Sequence, residues 1–411
     1  MPTSDRSDRW LQRFAALTAL CTLGLVCLGG LVTSKGVGMS VPDWPTSYGY
    51  NMFALPVSTW FTGGVFHEHT HRLWASTVGV LVVALTRWLG GSASRRPLAL
   101  IGAGEILAGW VLLKLGADWK GAGYFLSGIG GVVLLGAVVW AKNGSTVRPL
   151  PLLGWLAFAA VQFQGLLGGL RVVLDKQVVG DLPLGTVFGL VHACLGQMFL
   201  ALLCVIALSL TASWRRLAPT LDKARVGALR WMLPTATALV FLQLVLGASM
   251  RHQHAGLAIH DFPLAYGQVW PDTDPTSVER YNNRRVEEVP VTAAQIRLQM
   301  FHRLGAVAAV AMVFASWAVA KNRLGWGSPV TRWASVWSAM LTFQAALGAV
   351  TIWSDKAADI ATSHVAVGAI SLVTGVCLTL VARRVSVSPV VSFAKPRDPS
   401  AAFAFADPSA R

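Results

Sequence analysis

Residues 28–49, LGGLVTSKGVGMSVPDWPTSYG, and residues 246–267, LGASMRHQHAGLAIHDFPLAYG, are two copies of one segment. Leu28, Gly29, Gly38, Asp43, Pro45, Tyr48 and Gly49 return as Leu246, Gly247, Gly256, Asp261, Pro263, Tyr266 and Gly267, each displaced by 218 positions. A constant offset over that many identities marks an internal duplication. Each copy begins at the end of an apolar run and continues into a stretch rich in Gly and Pro. The duplicated unit is therefore a helix that runs into a loop with fixed turns.

The repeat extends outward from these loops. His71-Arg72-Leu73 returns as His302-Arg303-Leu304, and Phe163-Gln164 with Leu167-Gly168 returns as Phe343-Gln344 with Leu347-Gly348. A second histidine closes each half, His192 in the first and His364 in the second.

Hydrophobic residues make up 54% of the 411, and charged residues only 13%, which excludes a soluble enzyme. Ten apolar segments stand out, near residues 14–33, 72–90, 98–115, 122–141, 150–174, 184–210, 228–249, 299–320, 333–352 and 362–382. Each is close to the roughly 20 residues that a membrane-spanning helix needs. The expected fold is an all-α polytopic membrane protein, with two pseudo-symmetric four-helix bundles and an inserted helix pair.

The net charge of +15 calls for no nucleic acid, because Lys and Arg are concentrated in alternate loops. With the N-terminus inside, the inner segments hold 20 of them and the outer segments nine, five of those in the single long loop 250–298. The positive-inside rule then predicts both termini in the cytoplasm of a cell whose inner membrane holds the chain. The basic start is not read as a signal peptide, since no small-residue cleavage site follows and the first repeat copy begins within that segment. Cys21, Cys27, Cys194, Cys204 and Cys377 all fall in apolar segments without CxxC spacing, which points to neither a loop disulfide nor a zinc site.

The two copies also locate an insertion. From the HRL histidine to the FQ glutamine is 93 residues in the first half and 42 in the second, an excess of 51. That is two helices with short turns, at about 92–142. An even number of added helices preserves the orientation of everything downstream. Within this pair, Glu105 and Lys114 read as packing or interfacial groups. The expected organisation is a cytoplasmic N-terminus at 1–13, a first half at 14–210, a linker at 211–227, a second half at 228–384 and a disordered tail at 385–411 rich in Ser, Pro and Ala.

His71, His192, His302 and His364 are expected near the start of helices that run from outside to inside. A lone histidine in apolar sequence is usually a satisfied core residue, but two matched pairs near one membrane face are not. Facing helices can present imidazoles to both sides of a heme iron, so one heme site per half is expected. Zinc is disfavoured, because no third ligand recurs with the histidines. Arg72 and Arg303 follow their histidines directly, where pairing with heme propionates competes with snorkelling to head groups.

The halves differ at one ionisable position. Glu68 stands three residues before His71, on the same helical face, and Gln299 stands three residues before His302. A carboxylate beside a heme relays protons or stabilises positive charge, whereas a plain bis-histidine site suits electron transfer. The first half is therefore expected to be catalytic and the second to carry the electron-transferring cofactor. His67, His69, His252, His254 and His260 do not recur in the other half and read as surface loop residues.

Glu68 and His71 as ExxH, QGLLGGLRV at 164–172, VHACLGQ around His192 and PDWP at 42–45 together make the chain resemble the heme A synthases. The resemblance spans nearly everything outside 92–142 and the tail. It implies oxidation of a ring methyl group of heme O to a formyl group by successive hydroxylations, for terminal oxidase biogenesis. It further implies that His71 and His192 face heme O as substrate, that Glu68 serves catalysis, and that His302 and His364 ligate a heme b cofactor. The partners it implies are an unidentified electron donor or acceptor, and heme O synthase or oxidase assembly factors. The chain departs from the family in lacking the outer-loop cysteine pair of many bacterial members and in exceeding their usual eight helices. Two rival readings are a two-heme b-type cytochrome that only transfers electrons and a duplicated transporter. The Glu68 and Gln299 difference weighs against the first, and histidines near one face rather than the midplane weigh against the second.

Overall fold

The computed structural model describes residues 3–116, 119–138, 150–180, 182–217, 221–222, 226–285 and 289–387. Ten long helices dominate: α1 (Thr3–Ser34), α2 (Val65–Gly90), α3 (Arg95–Leu115), α4 (Lys120–Val138), α5 (Leu150–Val173), α6 (Leu184–Ser209), α7 (Leu229–His252), α8 (Ala293–Leu324), α9 (Pro329–Trp353) and α10 (Ala358–Val385). They form nine apolar helical stretches, because α2 and α3 join through a short 3-10 turn into one of 51 residues, Val65–Leu115. At 1.5 Å per residue that stretch is about 77 Å long, more than twice the hydrocarbon thickness. It is two crossings, broken where Gly91 takes a positive φ of 55°.

The chain is a multi-pass membrane protein. Helices α1, α2, α5 and α6 pack in a ring, and α7, α8, α9 and α10 pack in a second ring of the same connectivity. Each has its own apolar core, with Leu85, Leu89 and Leu203 in the first and Leu233, Trp337 and Leu378 in the second. The rings meet where α10 touches α1 and α6, and where α7 touches α6. Outward-facing side chains such as Leu20, Leu100 and Trp231 remain exposed, as a lipid-facing surface requires.

The helices begin where their local chemistry places them. Thr292 and Gln295 form a capping box at the head of α8, and Pro329 opens α9. The capping box starts α8 six residues earlier than its apolar run suggests, and α2 starts seven residues earlier, after Gly64. His71 is thus the seventh residue of its helix and His302 the tenth, so neither opens a helix as expected from sequence. The residues from 388 onward, which carry nearly all of the expected tail, lie outside the described residues.

The inserted pair is the hairpin of α3 and α4. A Cβ at Gly102 would lie 2.7 Å from Gly130 O, and one at Gly109 would lie 2.6 Å from Gly123 O. Only glycine allows the two backbones to approach this closely, the usual device of helix packing in lipid. Helix α4 then lies against α2. Trp44 of the first loop packs against Phe125 of α4, ring centroids 4.5 Å apart and planes tilted by 57°.

Candidate functional site

The two repeated loops are built alike, atom for atom. Asp43 accepts from the Tyr48 and Gly49 amides at 2.6 and 2.8 Å, and Asp261 accepts from Tyr266 and Gly267 at 2.7 and 2.9 Å. Tyr48 and Tyr266 both have φ of 53°, and their hydroxyls donate to Ser40 O and Ala258 O. Burial opposes ionisation of Asp43, but the Gly49, Thr46 and Tyr48 donors outweigh it and hold the carboxyl below its ordinary range.

Glu68 and Gln299 are the buckles that tie these loops to their helices. Glu68, 4% exposed, accepts from the Val41 amide at 2.9 Å, and Gln299, 1% exposed, accepts from the matching Ile259 amide at 2.7 Å. Their second polar atoms differ. Glu68 accepts from Arg72 at 2.7 Å, whereas the Gln299 amide donates to Ile259 O at 3.1 Å. Both side chains border the same cavity, so one position offers it a carboxylate and its counterpart an amide.

That cavity measures about 1800 Å³ and runs through both rings. All four histidines line it, His71 on α2, His192 on α6, His302 on α8 and His364 on α10. His71 is an electrostatic neighbour of His192, and His302 of His364. Each ring rests on a glycine of the preceding helix of its ring. A Cβ there would lie 3.1 Å from His71 at Gly29, 3.4 Å from His192 at Gly168, 3.1 Å from His302 at Gly247 and 3.2 Å from His364 at Gly348. Every one of these glycines follows a leucine, so four Leu-Gly pairs make four imidazole seats.

A glutamine four residues before the glycine completes three of the seats. Gln243 donates to His302 Nδ1 at 3.0 Å and to its carbonyl at 2.8 Å, and Gln344 donates to the His364 carbonyl at 2.8 Å. Gln164, oriented as its neighbours require, donates to His192 Nδ1 at 2.7 Å and accepts from Gly196 N–H at 2.7 Å. At the fourth seat stands Leu25; His71 Nδ1 is buried with no hydrogen-bond partner, and so is His364 Nδ1, because Gln344 bonds only the His364 carbonyl. His71 is the one imidazole of the four without a glutamine behind it. The identical spacing in the sequence was a signal that could have found this.

The two arginines that follow the histidines line the cavity and also serve their loops, and one expectation needs correction. Arg72 donates to Val41 O, Asp43 O, Thr46 O and Glu68, and Arg303 to Asp261 O, Leu264 O and Pro263 O. Both guanidiniums are committed to their loops, because the turns leave carbonyls that need donors. They are loop anchors as well as cavity-lining groups. The corrected expectation concerns His69 and His252: His69 is fully buried against Trp60, and His252 lines the cavity, so neither is a surface residue.

The cationic groups that sequence reasoning missed are Arg171, Arg251 and Lys356, which border the cavity where the two rings meet. Arg251 donates to Gly30 O at 2.6 Å, tying α7 to α1. Burial and the neighbouring Arg251 charge both lower the affinity of Lys356 for its proton. An anion in this crevice would relieve that crowding.

The donor set fits heme. Among the described residues no group of three or more His, Cys, Asp or Glu is placed to hold a metal ion. What the cavity offers is paired imidazoles in an apolar chamber, with cations beside them for carboxylates. Gln243 and Gln344 each also keep a buried Oε1 without a partner.

Fold and site together define a duplicated, multi-pass membrane protein built around two pairs of cavity-facing histidines. The chain belongs to the COX15-CtaA family, described as cytochrome oxidase assembly protein, which matches residues 124–376. It is also 24% identical over 359 residues to the heme A synthase of Sinorhizobium fredii (strain NBRC 101917 / NGR234), an alignment covering 85% of this chain and 83% of that one.

Proposed function

We propose that the protein is a heme A synthase, oxidising a ring methyl group of heme O to a formyl group in the inner cell membrane, with both termini in the cytoplasm. The observation that carries this is the exchange of Glu68 for Gln299 at one structural position in otherwise matching halves. A chain that only passed electrons would have no use for a carboxylate at one of two equivalent sites. His71 and His192 would hold the substrate porphyrin, and His302 and His364 a heme b cofactor, whose iron supplies one-electron transfer when bound.

In the first half, Glu68 is placed to hold or accept a proton at its Oε1 or Oε2 while the methyl group is hydroxylated. Arg72 holds that carboxylate in position through a 2.7 Å contact. Arg171, Arg251 and Lys356 receive carboxylates at the junction of the halves. The loop over α2 keeps bulk water from the chamber, and two hydroxylations at the same carbon give a diol that loses water to the formyl product. An unidentified electron donor or acceptor completes the cycle, and heme O synthase and oxidase assembly factors are the expected neighbours.

The test is expression of the full chain with a heme O synthase in a host without heme A, followed by extraction and chromatography of the hemes. Heme A or its hydroxylated precursor is the expected product. Folded, heme-loaded protein that yields neither would refute the reading.

A further inference from the structure

Four cavity-lining glycines within helices have nothing within 4 Å of where a Cβ would stand: Gly79 on α2, Gly128 on α4, Gly165 on α5 and Gly196 on α6. All lie in the first half or its inserted hairpin. The repeat allows each to be compared with its counterpart. Gly79 corresponds to Val310 and Gly165 to Ala345. Gly196 corresponds to Gly368, but a Cβ at Gly368 would lie 2.9 Å from Leu244 and 3.1 Å from Gln344, so that space is filled. Gly128 has no counterpart, because the second half lacks the hairpin. The first chamber is thus wider than the second, and Tyr124, Phe125, Ile129 and Val132 of α4 form its additional wall.

A second feature is independent of the glycines. Gln197 lines the same cavity, is 8% exposed, and its Oε1 has no hydrogen-bond partner. The second half has Ala369 there. A buried carbonyl oxygen left unsatisfied is costly and calls for a donor from whatever fills the space. The extra room therefore suits a ligand portion that is long, flexible and apolar, with one hydroxyl.

We infer that the first half contains a subsite for the hydroxylated isoprenoid chain of the substrate, walled by the inserted hairpin and bounded by Gly79, Gly128, Gly165 and Gly196, with Gln197 accepting from the hydroxyl. This rests on the reading of heme O as substrate, whose ring carries such a chain. Protoheme lacks it. The subsite thus gives the inserted hairpin of this chain a share in holding the isoprenoid chain of the prenylated porphyrin.

The test is binding rather than turnover. Full-length protein, purified with its resident heme from a host that makes no heme O, is titrated in detergent with heme O and with protoheme. Soret changes that are lost in His71→Ala report the first site. Heme O should bind at least about tenfold more tightly than protoheme, the scale on which a fitted apolar pocket discriminates. Gly79→Val and Gly128→Leu should each lower heme O affinity by about tenfold while sparing protoheme. The first of these imports a residue the fold already accepts at Val310. Gln197→Leu should narrow the preference as well. If the glycine variants leave heme O affinity unchanged, or weaken both porphyrins equally, the subsite is refuted and the synthase reading stands. If the unmodified protein takes up neither porphyrin at His71, the synthase reading falls and the subsite with it.

Discussion

Glu68→Gln isolates charge from shape, because the protein already contains the product of that exchange in its other half. Gln299 holds the Ile259 amide at 2.7 Å, as Glu68 holds Val41 at 2.9 Å, so an amide at 68 should keep the loop buckled. What is lost is the charged contact with Arg72, a pair whose side chains are 11% and 6% exposed. A hydrogen bond to a charged group contributes about 1.5–3 kcal/mol, and the lighter desolvation of an amide offsets part of its loss. Arg72 also keeps its three carbonyl acceptors. The variant should therefore remain folded, destabilised by at most about 2 kcal/mol, with the spectrum of the second-half heme intact. Product formation, measured by heme extraction and chromatography, should fall by about 10²–10⁴-fold, the usual contribution of a positioned acid or base. Glu68→Asp, which keeps the charge on a shorter arm, should recover part of it. Turnover by Glu68→Gln within about threefold of the unmodified protein would overturn the assignment, since the same general-base argument would then have no missing term.

Leu25→Gln should give His71 the amide that the other three seats possess and shift the first-site Soret and ligand-exchange behaviour toward those of the second. An unchanged spectrum would mean that the glutamine does not govern the ring. Gly247→Val places a branched side chain where a Cβ would already be 3.1 Å from His302, and should displace the ring and abolish b-type heme retention, as read by pyridine hemochrome assay. Asp43 has a depressed pKa, so its contribution to loop order is fully present above its ordinary value of 3.8 and is lost as pH falls through the lower folded value. Hydrogen exchange over residues 43–49 should accordingly stay slow down to about pH 4 and accelerate only below it, and Asp43→Asn should remove that dependence.

The duplicated fold was legible because hydrophobic length and loop motif are local properties. Spans could be found from apolar runs, and the loops from Asp43, Tyr48 and Gly49, whose turn chemistry is written in adjacent residues. Helix starts were less legible, since capping by Thr292 extends α8 before its apolar run begins. The histidines were visible as a pattern, but their surroundings were not. Arg72 looked free to meet a carboxylate because nothing local shows four acceptors converging on it from residues 41–46 and 68. Arg171 and Arg251 were passed over for the opposite reason. Each sits at the end of an apolar run, where snorkelling to head groups is the default, and only the meeting of two rings turns both toward one cavity.

The repeated seats suggest how the two halves came to differ. The same Leu-Gly unit, with its histidine on the next helix, occurs at α1 and α2, α5 and α6, α7 and α8, and α9 and α10, so each ring is itself a pair of pairs. Four departures meet in the first pair: Leu25 in place of glutamine, Glu68 in place of Gln299, Gly79 in place of Val310, and a hairpin inserted directly after α2; Gly165 for Ala345 and Gln197 for Ala369 lie on α5 and α6 of the same half. A fixed cofactor asks every ligand to be supported, and three seats place a glutamine behind the histidine. A ligand that must enter, react and leave asks for one imidazole that is held less firmly, a proton carrier beside it and space around it. The four that meet in the first pair lie on α1, α2 or the hairpin that follows, which points to the His71 side of the first chamber as the part of the molecule suited to exchange.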